Sequence, residues 1–74
     1  MKNIKTNIID DIINLYAKGM ISCEESTTKA IQEINNYTWE IDDIDCRIHT
    51  QNILYKRFFS KMYRAILHME HMNN

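Results

Sequence analysis

The sequence has no proline, no valine and a single glycine, Gly19, in 74 residues. Sheets of short strands need frequent turns, and turns draw on Gly, Pro, Asn and Asp. A chain with so few places to reverse is not built from hairpins of strands. Its 13 isoleucines would suit strands by propensity, yet they recur at helical spacings. An excess of one charge is also missing: nine Lys or Arg stand against ten Asp or Glu, a net −1. With 45% hydrophobic residues, that balance places the chain among folded rather than disordered sequences. No apolar run approaches the roughly 18 residues of a membrane span, so no membrane association is expected.

Length excludes more. A chain of 8.9 kDa is one domain, residues 1–74, with no room for a large enzyme or a cofactor pocket of ordinary size. It buries only about 60–65% of its unfolded surface, which makes a lone monomer marginal. The first residues, Met1 to Lys5, are followed by Asp10 and Asp11 rather than by an apolar segment, so no export signal is read. Cys23 and Cys46 are then expected as reduced thiols in a cytoplasm. Abundant Ile, Asn and Lys with three Arg is the composition of an AT-rich genome, as many phages and mobile elements carry.

Three helices are predicted, over about 4–18, 22–36 and 40–72. In the first, Ile4, Ile8, Ile12, Leu15 and Tyr16 form an apolar stripe, widened by Ile9, Ile13 and Met20. Gly19 marks its end. Ser22-Cys23-Glu24-Glu25 reads as a capping box that opens the second helix, and the short link makes an antiparallel hairpin. Cys23, Thr27, Ala30, Ile31, Ile34 and Tyr37 are its expected inward face. The run Leu15 to Glu25 resembles the Gly-hinged helical hairpins of many bacterial and phage accessory proteins; no function is carried over from it.

In the third segment Ile41, Ile44, Ile48, Gln51, Tyr55, Phe58, Met62, Ala65, Met69 and Met72 alternate at steps of three and four. A helix of about 33 residues would be roughly 50 Å long, twice the length of either hairpin helix. Either it breaks near the polar His49-Thr50-Gln51-Asn52, or part of it packs on a second chain. The expected architecture is therefore all-α: a helical hairpin on a long C-terminal helix, assembled as a homodimer with Tyr55, Phe58, Met62 and Met69 at the seam.

Charge is uneven along the chain. Residues 1–45 hold four Lys and nine acids, and residues 46–74 hold five Lys or Arg and one acid. Glu40, Asp42, Asp43 and Asp45 form an acidic cluster that suits either the positive end of a helix or a basic partner surface. They lack calcium-loop spacing. Trp39 beside them is read as a lid on the core that, if exposed, becomes an interface anchor. Arg57, Lys61, Arg64, His68 and His71 share one helix face, which suits solvent, an acidic protein or a phosphate backbone. A helix-turn-helix reading of 11–37 would point the acids Glu24 and Glu25 at phosphates, which is electrostatically wrong. Cys46/His49 and His68/His71 are i, i+3 pairs but lie about 33 Å apart on a continuous helix, so neither metal nor cofactor is expected.

No phosphate loop, nucleophile elbow or His-Glu-x-x-His motif occurs, and no catalysis is expected. The leading expectation is a stoichiometric inhibitor, adaptor or regulator that binds another protein, of the kind phages use for host takeover or anti-defence. Trp39, Asp42, Asp43 and Asp45 would form one contact surface, and Arg57, Lys61 and Arg64 the other. The alternative is a dimeric nucleic-acid-binding regulator using the basic face.

Overall fold

The structure, a computed structural model, describes residues 4–72, with the side chains of 8–71. Three helices, α1 (Ile4–Ala17), α2 (Cys23–Thr38) and α3 (Ile44–Met72), pack against one another, and no strand occurs among the described residues. The side chains of Ile4 and Met72, both placed on apolar stripes by the sequence, lie outside the described ones.

The two local signals at the α1–α2 link act as read. Gly19 adopts φ +77°, and the amide of Met20 donates to the Leu15 carbonyl at 3.0 Å while that of Gly19 donates to Tyr16 at 2.9 Å. This is the Schellman pattern, which needs a left-handed residue. The Glu25 amide then donates to Ser22 Oγ at 3.0 Å, and the Ser22 amide donates to Glu25 Oε1 at 3.2 Å. Ser22→Ala is expected to remove about 1 kcal/mol of stability, read as a fall in Tm of about 5 °C.

The core is a small cluster of Ile9, Ile12, Ala30, Ile34, Leu54, Phe58 and Met62. The inward face of α2 is Ser26, Ala30, Ile34 and Thr38, rotated from the expected one: Cys23 is exposed and Ile31 sits at the edge. The reason is that helix hydroxyls can be buried when they bond their own backbone. Ser26 Oγ donates to the Ser22 carbonyl at 2.8 Å, and Thr38 Oγ1 to that of Ile34 at 2.8 Å. Thr38 also extends α2 two residues past its expected end and accepts a hydrogen bond from Gln51 Nε2 at 3.0 Å. Gln51 is the one polar member of the α3 alternation, and its partner is already inside.

α3 does not break at 49–52; it runs unbroken for 29 residues, about 43 Å. It starts at Ile44, four residues later than expected, because Asp43 caps it: Asp43 Oδ1 accepts from the Cys46 amide at 3.0 Å. Gln51 meets Thr38 and Tyr55 Oη donates to Asn35 Oδ1 at 2.9 Å, which makes α2 and α3 antiparallel. Since Thr38 ends α2, the first two turns of α3 run on past the hairpin, giving a molecule 47 Å long and 21 by 18 Å across.

The expected dimer seam needs correction. Phe58 is 1% and Met62 4% exposed, both inside the chain's own core, and Tyr55 is half-buried and bonded to Asn35. Met69 is half-buried. In the C-terminal half of α3 the exposed apolar residues lie one position round the helix, at Phe59, Tyr63 and Leu67, while Ile44, Ile48 and Ile53 are exposed nearer its start.

Candidate functional site

The five residues between α2 and α3 carry the most exposed aromatic group of the described chain. Trp39, the only tryptophan, is 75% exposed. It is no core lid, because the backbone stays αR at Trp39 and its amide donates to the Asn35 carbonyl, so the ring leaves the end of α2 pointing outward.

Arg47 fixes the loop around it. Its Nε donates to the Ile41 carbonyl at 3.0 Å and its Nη2 to the same oxygen at 2.7 Å. The guanidinium carbon lies 5.4 Å from the Trp39 ring centroid, a cation–π contact. Ile41 in turn donates its amide to the Thr38 carbonyl at 3.0 Å. One side chain from the first turn of α3 therefore satisfies the loop's backbone and braces its indole. Such bracing lowers the entropy lost when a partner immobilises the ring.

The same link and the first turns of α3 also carry Glu40, Asp42 and Asp45, all exposed, and the exposed Ile44 and Ile48. Asp43, expected in the same cluster, is committed to its capping bond. One end of the rod thus holds an exposed indole, two exposed isoleucines and three exposed acids. Sequence reasoning did not single out Arg47. An arginine placed one turn into the helix that follows a Trp-bearing link is the signal that pointed to it.

Arg47→Ala is expected to cost about 1–2 kcal/mol through the loss of charge-assisted bonds. It should also lower the fluorescence anisotropy of Trp39. Arg47→Lys recovers little of the anisotropy, because an ammonium cannot present the planar fork.

The second expected surface is divided. Lys61 Nζ binds Asp10 Oδ1 at 2.7 Å, tying α3 to α1, with both side chains about 40% exposed. An ion pair that open to solvent contributes little stability, but it offsets one cation of the stripe. Arg64 and His68 border a shallow groove of about 550 Å³ between α1 and α3, floored by Ile13, Ala17 and Ala65. Arg57 is exposed on the same face. The structure does not bring this face to Trp39, which lies at the other end of α3.

Cys46, His49, His68 and His71 are exposed. The unbroken α3 keeps the two pairs about 33 Å apart. No group of three or more His, Cys, Asp or Glu side chains is gathered in metal-binding fashion among the described residues. No helix among them is long and apolar enough to cross a membrane. No protein-family model, curated protein or solved structure matches the chain.

Proposed function

We propose that this chain is a non-enzymatic protein-binding protein that works as a homodimer and acts stoichiometrically, as an inhibitor, adaptor or regulator of its partner. The observation that carries the reading is Trp39: a large aromatic side chain 75% exposed, yet held in place by Arg47. Interface energy concentrates in a few aromatic and arginine anchors surrounded by polar rims. Trp39 with Ile44 and Ile48 supplies the anchor, and Glu40, Asp42 and Asp45 supply the rim. The partner such a surface fits has an apolar pocket bordered by Lys or Arg. A phage or mobile-element factor directed at a host nucleic-acid-binding protein is one role of this kind.

Affinity capture of the tagged chain from lysate, with and without nuclease, tests the reading. One protein recovered in stoichiometric amount, unchanged by nuclease, is the expected result. Recovery of nucleic acid, with salt-dependent retention lost in Arg57→Glu/Lys61→Glu/Arg64→Glu, overturns it in favour of a nucleic-acid-binding regulator.

A further inference from the structure

α3 carries a second exposed apolar surface, separate from the Trp39 end. Phe59, Tyr63 and Leu67 follow one another at steps of four and are 52%, 63% and 41% exposed. Ile31 of α2 extends the patch. Asn35 meets Tyr55, so the antiparallel register sets Ile31, one turn earlier on α2, level with Phe59, one turn later on α3. Two charged residues end the row: Lys56 lies seven residues before Tyr63, and Glu70 seven after it. Both are exposed, and neither makes an ion pair or hydrogen bond to another described residue. Glu70 is also the only acid after Asp45.

We propose that this row is the seam of the homodimer, with two copies of α3 crossing antiparallel at Tyr63. A two-fold axis there sets Tyr63 against Tyr63 of the second copy and Phe59 against its Leu67. The same operation sets Lys56 against Glu70 of the second copy, and Glu70 against its Lys56. The row is therefore self-complementary in shape and in charge, as a two-fold interface requires. A parallel pairing would instead place Lys56 on Lys56 and Glu70 on Glu70.

Area agrees with a second copy as the occupant. A standard interface takes ~800 Å² from each partner, a little over half of it apolar. Phe59, Tyr63, Leu67 and Ile31 together expose the equivalent of about two whole side chains, roughly 400 Å² and mostly apolar. By helical spacing Arg57, Lys61 and Arg64 lie roughly 100–160° round α3 from Tyr63, and the Trp39 loop lies at the far end of the helix, so neither belongs to the row.

The assignment rests on the dimer reading, and the test separates the two. Sedimentation equilibrium of the full chain should give twice its 8.9 kDa mass. Phe59→Glu/Tyr63→Glu, made at exposed positions and checked for unchanged helical circular dichroism, should give the single-chain mass. Lys56→Glu should weaken the dimer about tenfold, and Lys56→Glu/Glu70→Lys should restore it. A monomeric wild-type chain at all concentrations overturns the dimer itself. A dimer that survives Phe59→Glu/Tyr63→Glu overturns the seam alone. A charge swap no tighter than the single change overturns the antiparallel orientation.

Discussion

Phe58→Ala is expected to abolish the cooperative thermal transition of this chain, while Phe59→Ala leaves it in place. The two residues are neighbours of one type, their rings 5.3 Å apart and nearly edge-on. They differ in environment: Phe58 is 1% exposed and is the largest fully buried side chain described. Truncating such a side chain costs about 3–5 kcal/mol, from lost burial plus the cavity left behind. A single core in a chain this short supplies about 3–5 kcal/mol in total, so the variant has no margin. In the dissociated chain Phe59 sits half outside and gives up mainly its ring contact, about 1 kcal/mol. Thermal unfolding by circular dichroism in dilute solution separates the two. Equal losses at both positions in dilute solution would contradict the placement of Phe58 inside the core and Phe59 outside it.

Trp39→Ala is expected to weaken partner binding by about 30-fold or more, that is by at least about 2 kcal/mol, with folding nearly unchanged. The split follows from its position. The indole is outside the core and, among the described residues, its cation–π contact is with Arg47, so little fold energy goes with it. Trp39→Phe should recover part of the affinity, because a ring remains but fills less of a pocket. Asp42→Asn and Asp45→Asn should act more weakly, through association rate and salt dependence, since rim charges steer more than they hold. Equilibrium titration against the captured partner reads all four variants.

What the sequence made legible were features set by a few neighbouring residues. The capping box at Ser22 and Glu25, the Gly19 stop and the antiparallel hairpin all depend on local chemistry, and all three appear in the structure. The three-helix composition followed from spacing alone. Errors arose where tertiary contacts decide between adjacent residues. Ser26 and Thr38 are buried because their hydroxyls bond the preceding turn, which lets α2 turn a small, polar-looking face inward and leave Ile31 at the edge. Three aspartates, Asp42, Asp43 and Asp45, compete to cap α3; Asp43 does so, with Arg47 gathering the preceding carbonyl of Ile41. Phe58 and Phe59 are equivalent in a hydropathy pattern, and only the placement of α1 and α2 shows which of them is inside. The candidate site was legible in its parts, Trp39 and the acids. Its organisation was not, because Arg47 acts across the loop from the next helix.

Trp39 fluorescence during titration with the captured partner tests the central claim most directly, because the chain has no other tryptophan. The account predicts a solvent-exposed emission in the free protein. It also predicts a shift to the blue and loss of access to acrylamide as the partner saturates. Emission and quenching unchanged at saturation would place the partner elsewhere on the chain and contradict the account.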